Sequence, residues 1–187
     1  LPKWNNSIPH RTKNLGELRA LRGEKDFIYF PSCISRQLGV PGSKSSLTPS
    51  RQGQVPVSGS HMALSNALMT IAQRADIHLH IPENVTGHCC GMPFASKGYK
   101  QAYQAALHKT LLQMWIWSEQ GKYPIVIDTT SCTHSLRTCA DDLSEEDKAT
   151  WKQLTIVDGV EFLYDHILPK LNIHPVDEDV VLHPNCS

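Results

Sequence analysis

The sequence predicts an α/β fold in which a parallel sheet is flanked by helices on both faces. Short, continuous apolar runs, which are typical of buried strands, alternate with longer segments that repeat apolar residues at helical spacing. Five of the six cysteines are expected on loops beyond the carboxyl end of a predicted strand. The length of 187 residues is enough for one well-buried domain and too short for two large ones.

The predicted strands are short and rich in β-branched or aromatic residues. In chain order they cover residues 26–30, 77–81, 125–128, 154–157 and 180–182. Helical spacing of apolar residues predicts helices between them, over residues 61–75, from Ser96 or Lys97 to Trp117, and 159–168. Pro169 is expected to end the last helix, and the acidic segment 141–147 is expected to be a solvated loop.

The domain organisation follows from changes in composition along the chain. Residues 1–25 are polar and marked by prolines, which predicts a linker from a preceding module. Residues 26–175 form the predicted domain, and its segment 41–60, rich in Ser, Gly, Pro and Gln, is predicted to be a surface loop. Residues 176–187 are expected to begin a second, truncated unit, so we expect the chain to be a fragment of a longer protein.

Charge and cysteine content narrow the possible functions. The 18 basic and 18 acidic residues balance, and no basic patch for nucleic acid or for an anionic membrane surface is expected. The sequence has neither a run of eighteen apolar residues nor a signal peptide, so no transmembrane segment is expected. The cysteine spacing does not resemble the framework of a small secreted domain, which favours a cytoplasmic location with reduced thiols.

The segment HCCGMPF, residues 88–94, predicts a rigid bend that carries two adjacent thiols. Gly91 permits a tight turn, and Pro93 is expected to prevent this turn from continuing directly into a helix. Two thiols directed toward one point suit a metal, a cluster or a redox disulfide, although a pair of inert buried cysteines is the alternative. His88 is a candidate ligand or proton relay, or else a solvent-facing loop residue.

The carboxyl ends of parallel strands meet at one edge of a sheet, so cysteines that follow different strands should converge there. This argument selects four thiolates, the number that a [4Fe–4S] cluster or a structural zinc needs: Cys33, Cys89, Cys90 and Cys132. Zinc usually takes its sulfurs from close pairs, so the wide spacing favours a cluster. Cys139 should stand apart, either as a resolving thiol or as an unused buried cysteine.

Four motifs in this order resemble the cysteine-rich CCG domain: FPSC at 30–33, CCGMP at 89–93, SCT at 131–133 and HPNC at 183–186. That domain occurs in the heterodisulfide reductase B subunit, the glycolate oxidase iron–sulfur subunit and the anaerobic glycerol-3-phosphate dehydrogenase C subunit. The chain is most similar to the C-terminal region of FAD-linked, iron–sulfur D-lactate dehydrogenases. Its opening LPKWN is similar to the linker that follows their ferredoxin-like module. The family carries two such repeats, and the fullest motif closes with CxxC, where this sequence has Ser135.

The resemblance implies an electron-transfer module of an oxidoreductase that oxidises a 2-hydroxy acid. Electrons would pass from FAD, bound by a preceding part of the enzyme, through iron–sulfur centres to a quinone, cytochrome or dithiol acceptor. This chain would contribute no catalytic residue and would be inactive alone. Its partners would be other domains or subunits of the enzyme, with peripheral membrane association through the full-length enzyme or its acceptor.

The resemblance also implies which residues form the redox site. The expected [4Fe–4S] ligands are Cys33, Cys89, Cys90 and Cys132, Cys186 is the expected first cysteine of the second repeat, and the supporting residues are His88, Gly91 and Pro93. Two alternatives stay open on the residues alone. One is a zinc-binding structural or interaction module, and the other is a thiol–disulfide redox domain that uses Cys89 with Cys33 or Cys132.

Overall fold

A computed structural model describes residues 27–38, 64–174, 178–179 and 181. Within these ranges the chain forms a four-stranded sheet in which every pairing is parallel, with strand order β2-β1-β3-β4. The strands are β1 (Phe27–Phe30), β2 (Leu79–His80), β3 (Ile125–Ile127) and β4 (Ile156–Asp158). The predicted class, an α/β fold built on a parallel sheet, is confirmed.

Helices connect successive strands. They are α1 (Cys33–Leu38) and α2 (Leu64–Arg74) before β2, α3 (Met92–Ala95) and α4 (Lys100–Trp117) before β3, and α5 (Thr130–Arg137) and α6 (Glu145–Trp151) before β4. A 3₁₀ turn, Cys139–Asp142, separates α5 from α6. After β4 come α7 (Gly159–Phe162), a π turn (Leu163–Ile167) and a 3₁₀ turn (Leu168–Lys170). Within the described segments, none of the helices has both the length and the apolar character to cross a bilayer.

The contacts of β1 show that helices cover both faces of the sheet. Neighbouring residues of a strand point to opposite faces. The hydroxyl of Ser65 of α2 donates a hydrogen bond to the hydroxyl oxygen of Tyr29, at 3.2 Å. Phe30 contacts Trp117 of α4 with the two ring centroids 5.4 Å apart. All four residues of β1 are therefore buried, which explains why its sequence FIYF is apolar throughout.

The second and the fourth predicted strands differ most in extent from the observed ones. The alternating segment Ile77–Ile81 contributes only Leu79–His80 to the sheet, although both of its end residues are buried. β2 lies at the edge of the described sheet and pairs with β1 alone, so its ends leave the ladder. The fourth strand is displaced by a residue or two from its predicted position, 154–157, to Ile156–Asp158.

The acidic segment 141–147 is not a loop, because α6 begins within it. Ser144 caps this helix, and its side-chain oxygen accepts the backbone N–H of Asp147 at 3.1 Å. Asp147 is buried and contacts the ring of His108 on α4 at 2.9 Å. The last helical segment also does not end at Pro169. This proline is the second residue of the 3₁₀ turn Leu168–Lys170, a position at which a helix does not need the backbone N–H that proline lacks.

Several predicted segments lie outside the described residues. These include the linker 1–25, the surface loop 41–60 and most of the predicted second unit, 176–187, of which only 178–179 and 181 are described. Val181, the one described residue of the predicted strand 180–182, is exposed and lies outside the sheet, and Cys186 stays a prediction.

The strand order places a topological switch point between β1 and β3. The connection that leaves β1 leads to β2 on one side, whereas the connection that leaves β3 leads to β4 on the other side. Sheets of this kind bind their ligands in the crevice at the carboxyl ends of the two strands where the direction reverses. Asp128 joins these two ends, since its carboxylate accepts the N–H of Ser32 at 2.9 Å and the hydroxyl of Tyr29 at 2.7 Å.

Candidate four-cysteine site

Four cysteines from three strand ends meet at this edge of the sheet. Cys33 is the first residue of α1, after β1, and Cys132 is the third residue of α5, after β3, so these two lie in helices and not on loops as predicted. Cys89 and Cys90 lie in the segment between β2 and α3. The sulfur of Cys90 is 3.4 Å from the sulfur of Cys132, and the side chain of Cys89 interacts with those of Cys33 and Cys90. All four are free thiols, so the structure links them in series into one cluster, the four-cysteine site.

The backbone between the paired cysteines and α3 depends on Gly91. Gly91 has a φ of 80°, in the left-handed region, and a Cβ at this position would lie 2.6 Å from Cδ2 of Tyr103. The N–H of Gly91 points back to the sulfur of Cys89 at 3.4 Å. The expected role of Pro93 is wrong, however, because α3 begins at Met92 and Pro93 occupies its first turn, where proline is tolerated.

Two helices hold the paired cysteines through their backbone. Thr110 of α4, which is buried, accepts the N–H of Cys89 at 3.1 Å and donates to its carbonyl oxygen at 2.9 Å. Ser135 of α5 donates to the carbonyl oxygen of Cys90 at 3.4 Å. The Ser135 side chain therefore lies against the site.

Sequence reasoning missed Arg36, which is fully buried beside the site. Its guanidinium donates to the backbone carbonyl oxygens of Ser32, Val85 and His88. Arginine is among the residues least often buried, so composition alone places it on the surface. The available signal was its spacing, because a residue three positions after Cys33 on a helix lies on the same face as that cysteine.

Three of these thiols, Cys33, Cys89 and Cys90, are held in their neutral form by raised pKa values. The hydrogen bond to Cys89, followed by burial, raises the pKa of Cys33, while the charge of Arg36 acts in the opposite direction. The hydrogen bond to Cys132 raises the pKa of Cys90 to about 11, with burial adding to the effect. Close thiolates repel one another, so the cluster loses its protons when a positive ion binds or when two sulfurs are oxidised to a disulfide.

His88 is buried rather than solvent-facing, with 7% of its surface exposed. Its ring meets the ring of Trp117 edge-on, with centroids 5.3 Å apart, and its Nδ1 has no hydrogen-bond partner among the described residues. Burial, followed by the charges of Lys109 and Arg36, lowers the pKa of His88, so the ring is neutral at pH 7. The structure does not connect this ring to the sulfurs through any hydrogen bond, and its candidate roles as ligand or proton relay stay predictions.

The sulfurs do not form a complete ligand shell as they stand. In residues 27–38 and 64–174, no three or more His, Cys, Asp or Glu side chains surround a point in a geometry that could hold one metal ion. The cysteines contact one another in series, which satisfies the number and type of thiolate ligands but not their orientation.

Cys139 takes no part in the sulfur contacts found among the described residues. It is buried in the 3₁₀ turn after α5, and its thiol donates to the carbonyl oxygen of Leu136 at 3.3 Å. Burial raises the pKa of this thiol to about 11. This distinguishes it as a matched control for substitutions within the site.

The raised pKa of Cys139 predicts a loss of stability at alkaline pH. The thiol ionises near pH 9 in the unfolded chain, but in the folded protein it stays neutral until about pH 11. The stability that this thiol contributes to the folded state is therefore complete below pH 9 and is lost as the pH rises through 11. We expect this loss to reach about 2 kcal/mol. Urea unfolding of the reduced wild type and of Cys139→Ser at pH 8 and 11 measures it. An equal alkaline loss in both proteins would contradict the assignment to Cys139.

No protein-family model, curated protein or solved structure matches this chain. Function is therefore inferred from the four-cysteine site and from its position in the sheet.

Proposed function

We propose that this chain is the cysteine-rich electron-transfer module of a flavin- and iron–sulfur-dependent 2-hydroxy acid dehydrogenase of the D-lactate type. Electrons would arrive from FAD and iron–sulfur centres in other parts of the enzyme and leave to a quinone, cytochrome or dithiol acceptor. The observation that supports this proposal is the contact of four thiols from three strand ends, Cys33, Cys89, Cys90 and Cys132, at the switch point of a parallel sheet.

The donor set fits an iron–sulfur cluster in number and kind. Four cysteine thiolates are the ligands that a [4Fe–4S] cluster takes, and a bound cluster would supply one-electron transfer. The sulfurs are close to one another but arranged in series, so binding requires the cysteine side chains to turn about χ1. The backbone around them is already fixed by Gly91, Thr110 and Ser135, which leaves this rotation as the main adjustment.

The surroundings of the site suit a redox role. Cys90 and Cys132 are buried, whereas Cys33 and Cys89 are half-buried, so the site is shielded on one side and reachable on the other. Burial and hydrogen bonds near the sulfurs are the two means by which a protein sets the potential of such a centre. A partially open edge permits close approach of the acceptor.

A second candidate function is favoured by one contact, the 3.4 Å between the sulfurs of Cys90 and Cys132. In this alternative the two thiols form a disulfide, releasing two protons and passing two electrons to a disulfide acceptor, which is reduced to its dithiol. The same contact also suits zinc, on which two thiolates at about 2.3 Å from the metal become near neighbours.

Anaerobic reconstitution of the reduced protein with ferrous iron and sulfide distinguishes these functions. We expect about four irons and four acid-labile sulfides per chain, a brown visible absorbance, and a paramagnetic signal after reduction. Serine substitution at Cys33, Cys89, Cys90 or Cys132 should remove most of the bound iron, because each removes one thiolate ligand. Elemental analysis of the same samples measures zinc.

Cys139→Ser is the matched control and should bind as much iron as the wild type. Wild-type protein that binds zinc but no iron would support a structural module instead. Protein that binds neither metal, but forms a Cys90–Cys132 disulfide seen by mass spectrometry, would support the thiol–disulfide alternative. Either result would overturn the proposed electron-transfer cluster.

A further inference from the structure

Arg36 is a fully buried guanidinium one helical turn after Cys33. A buried charge is costly unless hydrogen bonds and nearby opposite charge compensate for its lost hydration. Part of this compensation is visible, because Nε donates to the carbonyl oxygen of Ser32 at 3.3 Å and the guanidinium stacks 5.4 Å from the centroid of Phe30. The residue therefore occupies its position through several specific contacts rather than by packing alone.

The two terminal nitrogens of Arg36 hold the segment that leads into the paired cysteines. Nη1 donates to the carbonyl oxygen of Val85, and Nη2 donates to that of His88, the residue directly before Cys89. Because Arg36 belongs to the same helix as Cys33, this fork joins the cysteine after β1 to those after β2. A lysine has the same charge but lacks the planar fork that can reach two carbonyl groups at once.

The charge of Arg36 acts on the same site. Burial lowers the pKa of Arg36, while negative charge on Cys33, then on Cys89, Asp128 and Cys132, opposes this effect. An arginine stays protonated in proteins, so a positive charge persists at this place at neutral pH. Three of the four groups whose negative charge would stabilise it belong to the four-cysteine site, and they carry that charge only as thiolates.

We propose that Arg36 is the positioning residue of the four-cysteine site, where it fixes the paired cysteines against Cys33 and stabilises the more negatively charged redox state. This inference rests on the proposed function for its second part, because only a bound redox group changes charge. Its first part concerns the backbone of the protein without a cluster and stands independently.

Two substitutions separate the fork from the charge. Arg36→Lys keeps the charge and loses the fork, whereas Arg36→Gln loses the charge. In reconstituted protein at a fixed potential, Arg36→Gln should lower the ratio of reduced to oxidised cluster about tenfold, which is 59 mV for one electron. Arg36→Lys should keep this ratio within about threefold of the wild type, since the charge remains. A ratio unchanged in Arg36→Gln would overturn the electrostatic part.

Amide hydrogen exchange of the reduced protein without a cluster tests the fork. Both Arg36 variants should exchange faster than the wild type in the segment 85–90, while β3 stays protected. Arg137→Gln is the control, because Arg137 is a part-exposed arginine that pairs with Glu161 and lies outside the site. It should leave both the redox ratio and the exchange of 85–90 unchanged.

The redox ratio and the hydrogen exchange test the two parts of the proposal separately. If the wild type binds no cluster, the proposed function fails, while hydrogen exchange still decides whether Arg36 fixes the paired cysteines. If Arg36→Gln does not fold, Arg36→Lys decides the same point. Exchange of 85–90 that is equal in Arg36→Lys and the wild type would overturn the positioning role.

Discussion

Gly91→Ala should destabilise the protein by about 3 kcal/mol, because two separate costs add at this position. A left-handed backbone costs a non-glycine residue about 1–2 kcal/mol. Its φ is 80°, and the new Cβ would also lie 2.6 Å from Cδ2 and 3.0 Å from Cε2 of Tyr103, closer than carbon atoms pack. Forcing a methyl group into such a contact costs about 1–3 kcal/mol more. Urea unfolding of the reduced protein measures the sum.

Gly98→Ala is the matched control for this prediction. Gly98 also has a positive φ, of 75°, but a Cβ there would meet nothing within 4 Å. It should therefore cost only the conformational part, about 1 kcal/mol. If the two alanine variants lose equal stability, the Tyr103 contact does not constrain the turn beside the paired cysteines, and this part of the site is looser than the structure indicates.

Asp128→Ala should destabilise the protein by about 3 kcal/mol through two lost hydrogen bonds. The carboxylate accepts from the hydroxyl of Tyr29 and from the N–H of Ser32, and both donors are almost fully buried. A hydrogen bond to a charged group contributes about 1.5–3 kcal/mol. Burial, followed by the charge of Asp128, raises the pKa of Tyr29, so the phenol is a donor at neutral pH. Chemical unfolding at pH 7 gives the difference.

A double-mutant cycle with Tyr29→Phe isolates one of these hydrogen bonds. Tyr29→Phe removes the donor, so Asp128→Ala should cost less in that background, with a coupling of about 1 kcal/mol or more. Asp128→Asn keeps one acceptor oxygen and should lie between the wild type and Asp128→Ala. Strictly additive losses would mean that the Tyr29 hydroxyl does not depend on this carboxylate.

The sequence allowed the parallel sheet to be predicted because its central strands have a distinctive composition. β1 and β3 are covered on both faces, and every residue in them is buried, which leaves no place for polar side chains. The alternating residues 77–81 predicted a longer strand than Leu79–His80, because periodicity indicates which side chains are buried but not how many backbone groups find a partner. The order of the strands was not predicted, since it depends on contacts between distant segments.

The site could be predicted only in part from the sequence, for the same reason. The four cysteines could be grouped in advance, because each follows a predicted strand and parallel strands end at one edge. Arg36 could not be recognised, since its carbonyl partners Val85 and His88 are distant in sequence. Thr110 was hidden as well, because its role depends on where the long helix passes the paired cysteines. A polar residue on one element that holds a distant loop leaves no recognisable pattern in the sequence around it.

The parallel connections also determine when the site can exist during synthesis. The hydrogen bond from Tyr29 to Asp128 joins positions 99 residues apart, and the end of β3 must be in place for Cys132 to meet Cys90. At a translation rate of about 5–20 residues per second, the stretch between them takes roughly 5–20 s to synthesise. Cys33 therefore emerges as a solitary thiol long before its partners. The four thiols can meet only after β3 has joined the sheet, so any chemistry that needs all four of them must follow that point.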